Sequence, residues 1–281
     1  MTTTEYRSLY MVPWTGSKYY VARKIWPYIP RTHLARWAEP FGGAGGMLLS
    51  KPRWADQEIW NDNHGEMFNL WKVVRDRYGE FCDAVRYQIK SRDMFRDYID
   101  SAPEDALQRA VRFFYICQYS FGAEGRHFAV SRQRSVAARL DRLHARIQGV
   151  WIEHLDYQDF LDRYQGYVHS DHPDRKTFFF IDPPYMGGTA GQYSGEFDQT
   201  ALAERVKEIP DLWCLTLNDC QETRTLYKDY SQVAFTRNIS TENRPDRKGN
   251  SEYRELIIAN YDLDAVRKQN ATKGQRQLWN D

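Results

Sequence analysis

Apolar positions along this chain follow two rhythms. In the N-terminal quarter the stretch from His33 to Phe41 (HLARWAEPF) runs into a glycine cluster, Gly42, Gly43, Gly45 and Gly46. A second short strand candidate, EIWNDN, ends at Asp62 and Asn63. Behind it Met67, Leu70, Trp71 and Val74 recur every three or four residues, the spacing of one helix face. From about residue 76 to 148 strand alternation is absent and helical spacing takes over, with Phe113, Phe114, Cys117 and Phe121 spaced like a packed face. The last stretch returns to short apolar runs: VWIEHLD, TFFFID, LWCLTLND, QVAFTRNI and RELIIANY, separated by polar turns or helix candidates. Such runs predict a mostly parallel sheet covered on both faces. Asn238 to Ser251 is polar and holds Pro245 and Gly249, so a mobile loop is expected there. The tail after Asp262 is expected to be poorly ordered.

This order predicts an α/β fold interrupted by a helical insertion: residues 1–75, a helical part at 76–148, and 149–281. A length of 281 residues suits one sizeable domain with such an insertion. The net charge of +1 points to no partner, but its distribution does. Between Arg126 and Arg146 the basic residues are Arg126, Arg132, Arg134, Arg139, Arg142 and Arg146, against a single acid, Asp141. That excess reads either as a phosphate-binding surface or as a solvated arginine-rich helix. The four cysteines, Cys82, Cys117, Cys214 and Cys220, form no C-x-x-C pair. They read as reduced and structural, in a cytosolic compartment, and offer no zinc site. No apolar run approaches the roughly 20 residues of a membrane helix, and the N-terminus has no basic start leading into an apolar stretch. A soluble chain that is not exported is expected.

Two places carry candidate chemistry. Strand, glycine turn and helix is a general way to seat a nucleotide, because glycine lets the backbone approach the ligand and a helix start offers free N–H groups. Here the turn runs from Glu39 to Gly46, but the dinucleotide pattern G-x-G-x-x-G fails at Leu48, which argues against a nicotinamide cofactor. Asp62, about 20 residues on, could accept from both ribose hydroxyls; it could also simply cap the helix before Glu66.

The second place is TFFFIDPPY, residues 177 to 185. A buried strand leads into Asp182, Pro183, Pro184 and Tyr185, and two successive prolines hold the backbone extended. The Asp182 carboxylate and the Pro183 carbonyl could each accept one hydrogen of an exocyclic amino group. That would aim the nitrogen lone pair at an incoming methyl group and stabilise the charge developing on nitrogen. Tyr185 could stack on the base, which must leave the duplex to reach such a pocket. An ordinary D-P-P turn after a strand is the plainer alternative.

These motifs, in this order, resemble the D12 class, or α group, of Dam-like DNA adenine-N6 methyltransferases. Pro13 to Lys18 is similar to the family's K-W-x-G-G-K, with Ser17 in place of a glycine. Glu39 to Gly46 resembles P-F-x-G-x-G, and Asn61-Asp62-Asn63 resembles N-D-x-N. Leu155-Asp156-Tyr157 resembles D-F or D-Y, Asp182 to Tyr185 is D-P-P-Y, and Glu255 to Tyr261 is similar to E-L-L-I-T-N-Y. The resemblance implies a Rossmann-like S-adenosylmethionine-dependent methyltransferase fold with a mainly helical inserted target-recognition subdomain. It implies that Trp14 and Lys18 contact the cofactor or line its pocket, that Phe41 and Gly43 seat it, with Glu39 among the cofactor residues. Asp62 would hold the ribose, Asp156 would face the adenine ring of the cofactor, and Asp182 would lie between cofactor and target base. It implies direct transfer with no covalent intermediate and no metal.

For partners the resemblance implies double-stranded DNA, a restriction endonuclease as potential counterpart, and a monomer or weak dimer in the cytoplasm of a bacterium or encoded by a phage. Arg126, Arg132 and Arg134 are the DNA-binding candidates. The segment Phe121 to Phe128 (FGAEGRHF) departs from the F-N-G-L-x-R-x-N of GATC enzymes, so that specificity is not carried over; Arg126 could reach a guanine edge or a phosphate. The alternatives are a cytosine-N4 methyltransferase, an enzyme acting on RNA or on protein glutamine, and a DNA-binding protein that keeps the fold without turnover. The aspartate that opens the motif favours adenine.

Overall fold

The structure, a computed structural model, describes residues 9–31, 34–120, 125–129, 136–185, 197–239 and 251–272. Seven strands, mixed in direction, and flanking helices make it an α/β protein. The chain divides into two compact units, residues 1–22 with 36–160, and residues 23–35 with 161–281. A short helix, α1 (Ala22–Ile25), precedes the first strand.

In the first unit β1 (Leu34–Glu39), β2 (Gln57–Asn61) and β3 (Val150–Glu153) pair in parallel in the order β3-β2-β1. The register sets Glu39 against Trp60 and Asn61 against Glu153. Parallel pairing brings the carboxyl ends of all three strands to one side, which is where open α/β sheets take their ligands. Helix α2 (Gly65–Asp76) follows β2 and buries the expected Met67, Leu70, Trp71 and Val74. Its cap is His64, whose side chain accepts from the Met67 N–H at 3.2 Å, and not Asp62. Then come α3 (Tyr78–Arg86), α4 (Arg92–Asp100), α5 (Ala106–Gln118) and α6 (Val136–Ile147), the helical stretch that the spacing predicted. Ser91 caps α4 and Asp105 caps α5 through side-chain bonds to the first turn. Phe113, Phe114 and Cys117 are buried on α5, while Phe121 lies outside the described residues.

Two arginines of α6 fit neither reading of the charge excess, while Arg126 and Arg142 are exposed. Arg139 is only 7% exposed; its guanidinium donates to the carbonyls of Tyr10 and Met11 and lies over the Tyr10 ring. Arg146 forms a buried ion pair with Glu58 at 2.7 Å and also donates to the carbonyls of Leu48 and Lys51. Arg139, Leu143 and Arg146 recur at the i, i+4, i+7 spacing of one face, and that face turns inward with Leu140 and Ile147. A buried guanidinium persists only when its donors are matched, and here carbonyls and Glu58 match them.

Helix α7 (Tyr157–Tyr164) leads to the second unit, where β4 (Lys176–Ile181) is followed by α8 (Gln199–Lys207), β5 (Leu212–Asn218), α9 (Gln221–Leu226), β6 (Ser231–Ile239), β7 (Ser251–Ala259) and α10 (Leu263–Thr272). The strand order is β4-β5-β7-β6. β4 and β5 are parallel with Ile181 against Leu215, but β7 runs antiparallel to both neighbours, with Asn218 against Glu255 and Ser231 against Ala259. The sheet expected to be mostly parallel is therefore mixed, and among the described strands it is β7 that runs against its neighbours. The physical reason is in the connection: a parallel return needs a crossover of about a dozen residues or more, usually a helix, and the polar link between β6 and β7 has no helical pattern. Of the loop expected from Asn238 to Ser251, residues 240–250 lie outside the described residues, and its two ends belong to β6 and β7. The tail expected to be poorly ordered after Asp262 instead forms α10 as far as Thr272, started by Asp262, whose Oδ1 accepts from the Ala265 N–H at 2.9 Å; residues 273–281 lie outside the described residues.

Candidate active site

The turn after β1 is fastened at a single peptide. Gly43 donates its N–H to Asp62 Oδ2 at 2.8 Å. Its carbonyl accepts from two indoles, Trp60 Nε1 at 3.2 Å and Trp71 Nε1 at 3.0 Å. Gly43 sits at φ +48°, a left-handed conformation that glycine adopts without strain. At Gly42 the limit is space, since a Cβ there would come within 2.2 Å of the Trp60 indole. The two indoles stack on each other, with centroids 4.6 Å apart. A strand pattern accounts for Trp60 and helix-face spacing for Trp71, and neither pattern assigns the indole N–H a partner.

Asp62 is buried. Its Oδ1 accepts from the His64 N–H at 2.8 Å while Oδ2 holds Gly43. Burial raises its pKa above the ordinary aspartate value, against the lowering effect of those two N–H bonds and of the nearby histidines His64 and His154. Each carboxylate oxygen has further lone-pair capacity, so hydroxyl donors can still be accepted. Asn61, next to it, ties the ends of the three strands: its amide donates to the carbonyls of Pro40 and Leu155 and accepts from the Leu155 N–H. That clamp delivers Asp156 to the end of β3. Asp156 is exposed, and its Oδ1 accepts from the Gln158 N–H at 2.9 Å at the start of α7.

Aromatic faces surround this turn. Phe41 packs on Tyr157 with centroids 5.3 Å apart. Trp14, half-buried, meets His64 and Phe113 edge-on at 5.5 and 5.9 Å. A Cβ on Gly43 would stand 3.3 Å from the Trp14 ring. Phe113, from α5, is thus a neighbour that helical spacing alone read as core. Glu39 is buried and accepts from Trp37 Nε1 at 2.8 Å. Lys18 is 1% exposed and donates from Nζ to the Gly16 carbonyl at 2.9 Å, so its ammonium is turned into its own turn.

In the second unit β4 ends at Ile181 and the next residue is Asp182, half-buried. Thr216, fully buried on the parallel neighbour β5, donates its hydroxyl to Asp182 Oδ1 at 2.8 Å. Pro183 is buried, and the carbonyl of Pro184 accepts from the side chain of Gln199, the first residue of α8. The Tyr185 hydroxyl donates to Glu255 Oε2 at 3.1 Å, and its ring runs nearly parallel to that of Tyr253. Thr216 was missed by sequence reasoning, although a hydroxyl within an otherwise apolar core of a strand is the signal that could have found it. Cys214, beside it on β5, is buried and its thiol is pushed up to about 12, so it is no nucleophile at neutral pH. All four cysteines are free.

Of the DNA-binding candidates, Arg126 is exposed, and Arg132 and Arg134 lie outside the described residues. Among the described residues no three His, Cys, Asp or Glu side chains gather as metal ligands, and no helix is long and apolar enough to cross a membrane.

Compared with known protein families, residues 14–240 match the D12 class N6 adenine-specific DNA methyltransferases. The chain belongs to that family. The Rossmann-like methyltransferase fold expected from the sequence is borne out, and membership in the D12 class implies a DNA substrate and S-adenosylmethionine as methyl donor. Solved structures give looser likenesses. A Thermoplasma acidophilum protein is 9% identical over 85% of each chain, with a TM-score of 0.40. A SAM-dependent methyltransferase from Agrobacterium tumefaciens is 10% identical over 86% of this chain and 61% of its own, with a TM-score of 0.39. An rRNA methylase from Streptococcus thermophilus is 8% identical over 85% of this chain and 93% of its own, with a TM-score of 0.33. The assignment to the D12 class rests on the family match and not on these. Curated proteins give no match.

Proposed function

We propose that this chain transfers a methyl group from S-adenosylmethionine to adenine N6 in double-stranded DNA, by flipping the base and transferring directly. The observation that carries the reading is Asp182, a half-buried carboxylate at a strand end, oriented by the Thr216 hydroxyl and followed by two prolines and a tyrosine. One amino hydrogen goes to the Asp182 carboxylate and the other to the Pro183 carbonyl, which points the nitrogen lone pair outward. The positive charge that grows on nitrogen is met by acceptors already in place. Thr216 holds the carboxylate in that pose without touching the base, so it is a positioning residue. Tyr185 covers one face of the base.

The residues at the ends of β1, β2 and β3 fit the cofactor. Asp62 and Asp156 supply acceptors for hydroxyl and amino donors, the Gly43 turn a close backbone approach, and Trp14 and Phe41 apolar faces. Glu39 and Lys18, both buried, act by shaping the pocket wall. The cofactor itself supplies the methyl group on a positively charged sulfur, so no protein nucleophile is required. Residues 76–148 serve target recognition, with Arg126, Arg132 and Arg134 toward DNA. A cytoplasmic monomer or weak dimer, with or without a restriction endonuclease counterpart, completes the reading.

The test is methyl transfer from radiolabelled S-adenosylmethionine to duplex DNA, single-stranded DNA and ribosomal RNA, followed by digestion to nucleosides. Label in N6-methyl-2′-deoxyadenosine from the duplex is the expected result. Label in N4-methyl-2′-deoxycytidine, or in RNA alone, would overturn the reading.

A further inference from the structure

Asp219 follows the last residue of β5, as Asp182 follows the last residue of its parallel neighbour β4, so both acids stand at the same end of the second unit's sheet. Asp219 is three residues beyond Thr216, the partner of Asp182, which is up to about 10 Å at the rise of a strand. Its side chain is 7% exposed. Arg224, on α9, takes both carboxylate oxygens, with Nε on Oδ1 at 2.6 Å and Nη2 on Oδ2 at 3.0 Å. That bidentate pair already neutralises the acid. Yet Arg254 of β7 is brought to the same carboxylate, its Nε 3.3 Å from Oδ2. Its backbone is fixed there, because its carbonyl accepts from the Asp219 N–H at 3.0 Å. Among the described residues Asp219 is the only acid that pairs with either guanidinium. Two cations thus share one anion, with more N–H donors than two oxygens can accept. Their side chains are 41% and 64% exposed, so the surplus charge faces solvent. Like charges this close repel, and a second anion between them removes that cost.

We infer that Arg224 and Arg254 form a seat for one phosphate of the DNA backbone beside the acceptor nucleotide, with Asp219 as the positioning residue that holds both guanidiniums. The inference rests on the DNA-methylation reading above and adds two arginines outside the candidate site. A guanidinium offers paired donors that match a phosphate. Neighbouring side chains of a strand leave opposite faces, so Arg254 stands on the other side of β7 from Glu255, which holds Tyr185. The seat is therefore near the catalytic turn but outside the pocket for the base, a place for the backbone and not for a base edge. Phosphate contacts fix register and carry no sequence information. The seat sets where the strand lies, while Asp182 and the Pro183 carbonyl supply the choice of an amino group.

The test uses the full-length protein and a duplex carrying its mapped methylation motif, with the dissociation constant read across a range of salt. Each phosphate contact adds roughly 0.9 to the slope of log K against log salt. Arg254→Ala should lower that slope by about one and weaken binding on the order of tenfold at low salt. Arg254→Lys, which keeps the charge, should keep the slope. Single phosphates around the target adenine are then replaced by neutral methylphosphonates. One such duplex should bind the wild type as weakly as the intact duplex binds Arg254→Ala, with no further loss when the two changes are combined. A lowered unfolding midpoint of Arg254→Ala with an unchanged slope would make Arg254 a structural residue and overturn the seat. Losses that add at every modified position would overturn it as well, and either result leaves adenine methylation standing. A wild-type protein that methylates no DNA would overturn the methylation reading and the seat together.

Discussion

At the end of β1, Gly43 is held through its N–H by Asp62 and through its carbonyl by Trp60 and Trp71, all of them buried. At the end of β4, Asp182 is half-buried and accepts from the Thr216 hydroxyl. The first turn is part of the core: its polar groups are matched inside and its glycines fill spaces no side chain could share. The second turn is only partly buried and is steadied by Thr216 on Asp182, by Gln199 on Pro184 and by Glu255 on Tyr185. Changes at the first turn should therefore be felt as lost folding, and changes at the second as lost turnover with the fold intact.

Trp71→Ala should break that comparison most visibly on the stability side. It removes a fully buried indole and unpairs half of the Gly43 carbonyl, at a cost of about 3–5 kcal/mol. Denaturant unfolding measures it, and a loss below about 1 kcal/mol would mean the turn is not part of the core. Thr216→Val keeps the volume and deletes the hydroxyl. Turnover should fall roughly tenfold, as for losing a hydrogen bond to a charged group, with KM for DNA and unfolding unchanged. A drop in stability without a drop in kcat would make Thr216 a core residue and nothing more. The smallest effect is expected at Arg126. Its replacement by alanine should leave stability alone and lower the slope of log K against log salt by about one if it touches phosphate. An unchanged slope with altered base preference would place it on a base edge instead.

Much of this was legible in the sequence, for reasons that can be traced residue by residue. The strands, the α2 face of Met67, Leu70, Trp71 and Val74, and the turns at Gly43 and Asp182 follow from local pattern, which a single chain displays directly. What was not legible depends on partners distant in sequence. Arg139 and Arg146 count as surface charge until Glu58 and the carbonyls of Tyr10, Met11, Leu48 and Lys51 are brought to them. Their shared face with Leu143 was the available signal, and composition outweighed it. The clamp by Asn61 on Pro40 and Leu155 joins residues up to 94 positions apart. Thr216 meets Asp182 only because β5 pairs with β4 in one register, and Tyr253 meets Tyr185 only because β7 reverses direction.

The central claim, that Asp182 presents its carboxylate to the amino group of adenine in DNA, is tested most directly in living cells. Plasmid DNA from an adenine-methylation-deficient bacterial host expressing this protein would be read by single-molecule sequencing, beside DNA from cells expressing Asp182→Ala at the same soluble level. Methyladenine at one short motif with the wild-type chain, and its absence with the variant, is the predicted result. Equal methylation from both proteins, or no modified adenine from a wild-type protein that binds S-adenosylmethionine, would contradict the account.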